Sequence, residues 1–465
     1  MTTQDTSKAW NDVLRPKLSE RYEMGKQLRE KCPRASHADW KAAANREDPL
    51  QLLKQDNRGR IRELIPIRYG RMVKSPFTFY RGAALNMAAD LANTPSSGLR
   101  VQACGDAHLL NFGAYASPER RHIFDINDLD ETLPAPWEWD VKRLAASVVL
   151  ASRNNGFSQR EARDAVLAGV RSYRKRMFQY YGMSVLDVWY ASIDATEFAG
   201  STKDREAGQR AAKRLAAARE RSVLEHDFPK LTADIGEDPT IRDNPPLIYH
   251  LDGDGSGEYF ANVRAAFAEY RESLQEERRV LLDHYEIKDA AMKVVGVGSV
   301  GTFCAVLLLM ASEQDPLFLQ VKQARPSVLE AYAGKSRYPN HGQRVVNGYR
   351  LMQSSSDIFL GWTKGKQGGH IYVRQLRDMK VGAQVELFSP GFMAEYAEVC
   401  GWALARAHAR SGDPAQISGY LGKSDTFDEA IADFAVAYAD QSERDHAILL
   451  SAVQSGQVEA HTEED

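Results

Sequence analysis

No stretch of this 465-residue chain approaches the 18 or more continuous apolar residues of a membrane-spanning helix. The longest apolar run, Cys304 to Ala311, is the size of a strand. The opening residues, MTTQDTSKAW, lack the apolar core of a secretory signal. Only four cysteines are present (Cys32, Cys104, Cys304 and Cys400), far apart and with no C-x-x-C pair, which fits neither a disulfide framework nor a cysteine zinc site. An excess of one charge is missing too: 60 Lys plus Arg against 63 Asp plus Glu leave a formal charge of −3, so no global field draws the protein to nucleic acid or acidic lipid. No internal repeat of 20 to 50 residues is visible. Together these absences predict a cytoplasmic protein with no nucleic-acid and no membrane partner. Nothing in the sequence fixes an oligomeric state.

What is present is an ordinary globular composition, 43% hydrophobic and 26% charged. The length suggests about two to four lobes at roughly 150 residues each. Residues 1–95 read as helical, with a basic stretch, RGRIRELIPIRYGRMVK, and a helix start at Ser75 and Pro76. Residues 96–285 begin with an apolar strand in GLRVQA, a polar loop and a second strand, HIFDI, and then turn helical: Val141, Leu144, Ala145, Val148 and Val149 recur at three and four. Ser158 and Glu161 form a capping box for a helix to about Tyr181, residues 203–221 are an Arg/Lys/Ala-rich helix, and 229–258 a long loop. A charged helix is expected near 258–290. Residues 286–385 read as β-rich: MKVVGVGSVGTFCAVLLLMA and LFLQVKQA form a hairpin pattern, and IFLGWT and HIYVRQL a further strand pair. Residues 386–465 are helical again, with Phe392, Tyr396, Val399, Cys400, Ala403 and Leu404 on one face and a stop at Gly412.

The densest polar constellation is GDAHLLNFG, which places Asp106, His108 and Asn111 inside six residues. DINDLDE follows, with Asp125, Asp128, Asp130 and Glu131. Any one of these residues alone fits a turn or helix cap. As a set beside a strand pair, they supply hard oxygen ligands for Mg²⁺ and a carboxylate able to take a proton from a hydroxyl, the inventory of phosphoryl transfer. A second feature is G-x-G-x-x-G at Gly296, Gly298 and Gly301, with Ser299 and Thr302. Alone it is a weak signal, because strand–turn–helix and strand–turn–strand phosphate sites both use it. The residues after Gly301 favour strand, and Lys322 then lies on the following strand, where a kinase lysine would reach the α- and β-phosphates.

These residues resemble a known group of enzymes. GDAHLLNFG resembles the G-D-x-H-x-x-N catalytic loop of aminoglycoside phosphotransferases, choline kinases and homoserine kinases; NDLDE followed by WDVKRLA resembles their metal segment and the helix after it. More closely, the chain from SPFTFYRGAA to AYADQSERD resembles an uncharacterised bacterial family of unknown function, number twenty-two fifty-two, which brings no reaction with it. The kinase-like resemblance implies an α+β, two-lobed, protein-kinase-like fold with extra helices and an ATP- and Mg²⁺- or Mn²⁺-dependent phosphotransferase with an unidentified hydroxyl acceptor, a small molecule rather than a protein. Carried over by position, it makes Asp106 the catalytic base with His108 beside it, Asn111 a metal ligand and Asp128 the main metal ligand, Asp125 being the competing choice. Gly296, Gly298, Ser299 and Gly301 would cover the phosphates, Lys322 would neutralise them, and Glu330 is the nearest candidate for the glutamate that pairs with Lys322. The glycine loop and Lys322 follow the catalytic loop, the reverse of the kinase order. A circular permutation would reconcile this, with GWALARAHARSGD as the helix that normally precedes the catalytic loop.

Two other functions fit parts of the pattern. A pseudokinase would bind nucleotide without turnover, and an NAD(P)-dependent oxidoreductase would need a helix after Gly301. Nucleotidyl transfer in place of phosphoryl transfer also fits. Among lesser signals, DGDGSGE at 252–258 matches half of an EF-hand loop but has Val263 at its twelfth position and reads as a solvated loop. The basic run QRAAKRLAAARERS reads as a solvated helix face, His408 as a helix-end histidine, and Trp137 and Trp139 as core anchors.

Overall fold

The computed structural model describes residues 16–220, 228–233, 239–250, 258–294, 296–365, 368–376 and 379–461, and the EF-hand-like segment from Asp252 lies almost wholly outside them. The N-terminal segment is helical as its pattern predicts, with helices Leu18–Lys31, Pro49–Asp56, Ile65–Val73, Pro76–Gly82 and Ala84–Leu91. Ser75 caps the fourth of these, its hydroxyl accepting from Thr78 N at 3.1 Å, and Pro76 takes the first-turn position where no N–H is needed.

Four short strands follow: β1 (Arg100–Ala103), β2 (Phe112–Ala116), β3 (His122–Ile126) and β4 (Leu133–Pro136). The sequence announces β1 and β3 but not β2 or β4. β4 carries two prolines and is stable only as the lone partner of β1, with Pro134 opposite Gln102 and Pro136 opposite Arg100. β2 and β3 form an antiparallel hairpin, with Gly113 opposite Asp125.

The second half of the chain supplies a six-stranded sheet from β5 (Ile248–Tyr249), β6 (Glu286–Lys293), β7 (Cys304–Met310), β8 (Pro316–Gln323), β9 (Gly361–Lys364) and β10 (His370–Gln375), ordered β5-β6-β7-β8-β10-β9 with every neighbouring pair antiparallel. The charged helix expected to about residue 290 is instead two helices, Glu258–Glu272 and Glu276–Leu282, and then β6. Ala290, Ala291 and Met292 are buried where β6 lies between β5 and β7, so tertiary pairing overrides the local helical preference. One sheet face packs Leu307, Leu309, Leu317, Leu319 and Val373 against Tyr270, Leu274 and Leu282. On the other face, Tyr372 joins the main helical core.

That core is built on helices Trp137–Asn154, Gln159–Tyr181, Pro390–Ser411 and Thr426–Gln454. Ser158 and Glu161 form the capping box predicted for the second, and the third stops at Gly412. Trp137 and Trp139 are core residues, and Trp137 stacks on Tyr173 at 5.6 Å. Between sheet and helices runs helix His341–Met352, whose buried Arg344 donates to Thr132 O at 2.6 Å and Asp130 O at 2.8 Å. A last strand, β11 (Val381–Gly382), pairs with β2 and completes a three-stranded sheet β11-β2-β3. The architecture is therefore mixed α+β. All four cysteines are buried and free, and among the described residues no helix is long and apolar enough to cross a membrane.

Candidate functional site

The turn after β1 carries the first part of the site. Gly105 has φ +83°, and a Cβ there would lie 2.5 Å from Glu131 O, so conformation and space both demand glycine. The Asp140 carboxylate, in the first turn of helix Trp137–Asn154, accepts from Cys104 N at 2.6 Å and Gly105 N at 2.9 Å and fixes the turn. Buried His408 lies 3.1 Å from Asp140 through Nε2 and 2.9 Å from the Tyr173 hydroxyl through Nδ1. The histidine read as a helix-end residue thus supports Asp140.

Asp106 projects from this turn. Its carboxylate is held by Arg143, with Nε 2.7 Å and Nη2 2.5 Å from Oδ1. Its backbone oxygen accepts from the Asn111 side-chain amide at 2.7 Å. Asn127 N donates to Asn111 O at 2.7 Å, tying the 105–111 segment to the turn that carries Asp128.

Asp128 follows β3, is 31% exposed, and has its Oδ2 3.8 Å from Lys322 Nζ on β8. The same ammonium contacts Asp130 Oδ2 at 2.6 Å, and the Tyr372 hydroxyl donates to Asp130 Oδ1. Burial alone would raise the pKa of Asp128, but Lys322 and Arg374 hold it well below the usual carboxylate range. Asp130 shifts the other way, raised by burial and by the Asp128 charge. Burial disfavours the Lys322 ammonium, yet the two carboxylates keep it above its ordinary value. Lys322 is therefore a fixed cation between two acids.

The glycine-rich segment joins β6 to β7, a strand–turn–strand, so the strand–turn–helix of a dinucleotide fold is absent here. Gly296 and Gly301 have φ +67° and +84°. Its carbonyls are gripped by the N-terminal segment: Arg60 Nη1 donates to Gly298 O and Val300 O, both at 2.7 Å, Ile61 N to Gly301 O at 2.7 Å, and Arg71 to Gly296 O. Gly298 and Ser299 line one cleft with Asp106, Asn111, Asp128 and Asp130, a hollow of about 70 Å³ whose remaining wall includes Arg60, Arg81 and Arg325. A second hollow of about 260 Å³ is lined by Asn127, Lys293, Gln320, Arg374 and Lys380. Asn127 and Gln320 stand next to Asp128 and two residues before Lys322, so the two hollows flank this ion-pair cluster.

Three expectations need correction. Asp125 is wholly buried away from the cleft, its carboxylate accepting from Arg406 at 2.6 and 2.8 Å and from Ser354 N at 2.8 Å. It is a core ion pair and is not placed to hold a metal, because in a strand alternate residues face opposite ways and the following turn re-aims Asp128. Glu330 does not meet Lys322: its carboxylate lies 3.6 Å from His341 Nδ1, and Asp130 takes the place expected for it. His108 is buried behind Asp106, with Nε2 3.8 Å from Oδ2, and burial pushes its pKa down to about 4. It is neutral near pH 7 and packs behind Asp106. Among the described residues no three His, Cys, Asp or Glu converge on a metal position. Among the oxygen-bearing side chains that line the cleft are the Asp128 carboxylate and the Asn111 amide, whose NH₂ is already bonded; hard oxygens of this kind suit Mg²⁺.

Sequence reasoning passed over Arg60, Arg71, Arg81 and Arg143. The first three sit in and beside the basic stretch 58–74, where charge without acidic periodicity was the available signal. Arg143 lies one helical turn after Asp140, on the same face.

No curated protein and no solved structure matches the chain. A family described as an uncharacterized protein conserved in bacteria, DUF2252, matches residues 60–452, a span that holds every cleft residue named here. The protein belongs to this uncharacterised bacterial family, DUF2252.

Proposed function

We propose that this protein is an ATP-dependent phosphotransferase acting on a hydroxyl acceptor. The observation that carries the reading is the convergence, in one cleft, of Asp106, Asn111 and Asp128 with the glycine segment, cemented by the contacts of Lys322 with Asp128 and Asp130, 194 and 192 residues away in sequence. A glycine-rich connection between two antiparallel strands, a lysine on the next strand and an Asp/Asn pair facing them are the parts that kinase-type phosphoryl transfer uses.

In this reading, Lys322 sets positive charge beside the nucleotide phosphates, and the glycine segment lies over them. The 70 Å³ cleft suits a phosphate-sized group, and the adjoining 260 Å³ hollow offers room for the rest of a nucleotide. Asn111 and Asp128 would hold the metal, which supplies charge neutralisation for the phosphates. Asp106, fixed by Arg143, orients the acceptor hydroxyl and takes its proton as the acceptor oxygen bonds to the γ-phosphorus; the bond from that phosphorus to its bridging oxygen breaks, and ADP leaves with the electron pair. The permuted order finds support where helix Pro390–Ser411 ends against β1: Gln102 N donates to Ser411 Oγ at 3.0 Å, so a helix late in the chain leads spatially into the catalytic-loop segment.

One observation favours a second reading, a nucleotide binder without turnover. Lys322 is already in contact with Asp130, and the glycine carbonyls are already bound by arginines, a site that could be closed by design. The test is a thermal-unfolding titration with ATP and Mg²⁺ run beside ADP release. Metal-dependent stabilisation that Lys322→Ala and Asp128→Asn both abolish, with ADP release lost in Asp106→Asn, is expected. Stabilisation without ADP release would favour the non-catalytic reading; no response to ATP would refute both.

A further inference from the structure

The cations of the cleft are all committed to protein partners except one. Arg60 binds Asp56 as well as the Gly298 and Val300 carbonyls, Arg325 binds Asp56 and the Asp56 and Arg58 carbonyls, Lys322 holds Asp128 and Asp130, and Arg143 holds Asp106. Arg81, at the end of helix Pro76–Gly82, lines the same cleft, and its guanidinium has no hydrogen-bond or ion-pair partner among the described residues. Its Nε is buried and unsatisfied. The residue as a whole is part-exposed, and since a guanidinium keeps its proton in a protein, its charge is open to an anion that enters the cleft.

The position of Arg81 indicates which anion it awaits. Its backbone oxygen sits 3.4 Å from where a Gly298 Cβ would be, which sets the residue against the glycine segment. Arg81 shares the cleft wall with Asp106, whose carboxylate attracts its guanidinium. Resting on the phosphotransferase reading, we propose that Arg81 binds an anionic group of the acceptor, which is therefore a hydroxyl compound carrying a carboxylate or phosphate close to the hydroxyl that Asp106 deprotonates. A planar guanidinium grips such an oxyanion through two parallel hydrogen bonds.

The probes are inorganic phosphate and, separately, malonate, each titrated at constant ionic strength against chloride. The readout is the thermal-unfolding midpoint of the full chain, with and without Mg²⁺ and a non-hydrolysable ATP analogue, for wild type, Arg81→Gln and Arg81→Lys. With the analogue bound, at least one oxyanion should raise the wild-type midpoint further. Arg81→Gln should keep the rise due to the analogue and weaken the oxyanion at least tenfold, and Arg81→Lys should fall between. The choice of phosphate or malonate tells the two acceptor chemistries apart. An oxyanion effect that is missing in wild type, or that survives in Arg81→Gln, overturns the proposal. So does one that vanishes when the analogue is bound, since Arg81 would then serve the nucleotide. An analogue that itself fails to bind overturns the phosphotransferase reading and is seen separately from the oxyanion arms. Should the variants not fold, phenylglyoxal labelling of the analogue-bound wild type decides the matter: phosphate or malonate must protect Arg81, and equal labelling with and without them refutes the assignment.

Discussion

Two isosteric substitutions three residues apart, Asp125→Asn and Asp128→Asn, are expected to act in opposite ways. Asp125 is wholly buried and is the only carboxylate bonded to Arg406, itself wholly buried, among the described residues. Two further nitrogens of Arg406, Nε and Nη1, have no partner, so the Asp125 charge is what compensates the guanidinium. Removing it while keeping side-chain volume leaves an uncompensated buried cation, and breaking such a pair costs about 3–5 kcal/mol. With a urea m value of about 3 kcal/mol/M, the unfolding midpoint falls by about 1–1.7 M. Asp128 is different: it is 31% exposed, and Lys322 keeps Asp130 at 2.6 Å when the Asp128 charge is gone. Its loss should cost less than about 1 kcal/mol, as for other part-exposed pairs. The assay is urea unfolding followed by tryptophan fluorescence, paired with the Mg²⁺–ATP thermal shift. Asp125→Asn should lose stability and keep the shift; Asp128→Asn should keep stability and lose the shift. Coinciding midpoints for the two variants would refute the division of the acidic cluster into one core residue and one cleft residue.

Other expected outcomes are equally specific. Burial presses the Lys142 ammonium down to about 8, against which Glu138 pulls only partly. A depressed pKa gives stability that is complete above the ordinary value of 10.5 and lost as pH falls through 8, so wild-type stability should rise between pH 8 and 10.5. Lys142→Met should abolish that rise and be more stable at pH 7 by about 1–3 kcal/mol, a flat wild-type profile being the refuting result. Gly401→Ala should destabilise by about 1–3 kcal/mol or more in urea, because its Cβ would lie 2.1 Å from Gly169 O on the facing helix; a neutral effect would deny that close approach. Arg143→Met should leave Asp106 unheld and lower the ADP-release rate at least tenfold with the nucleotide shift intact; an unchanged rate would show that Arg143 does not position the base.

Much of the local structure was legible because its signals are local. Ser158 with Glu161, Ser75 with Pro76, and the three-and-four repeat after Asp140 are written within single turns of helix. The β7–β8 hairpin after the glycine segment was readable from its leucine-rich runs. What escaped depends on partners far along the chain. β4 is a strand only because β1 lies beside it, and β6 only because β5 and β7 do. Asp125 and Asp128 are equivalent by composition, and Arg406, distant in sequence, separates their roles. Lys322 found an acid as expected, but Asp130 in place of Glu330, since helix His341–Met352 offers no carboxylate and presents Arg344 to the Asp130 backbone. The arginines of residues 58–81 carried no motif, and their meaning exists only where they meet the glycine carbonyls and the cleft.

The Asp125–Arg406 pair, 281 residues apart, also sets a clock on synthesis. At about 5–20 residues per second, about 14–56 s separate the emergence of the carboxylate from that of its cation. Through most of that interval β2 lacks Val381 and Gly382 on its open edge, and Asp125 must stay hydrated because burial would be uncompensated. The hairpin that leads to Asp128 therefore cannot settle into its final position while the ribosome is still in the first seven-eighths of the message. A transcript truncated before codon 406 therefore yields a chain whose Asp125 has no Arg406 to be buried against.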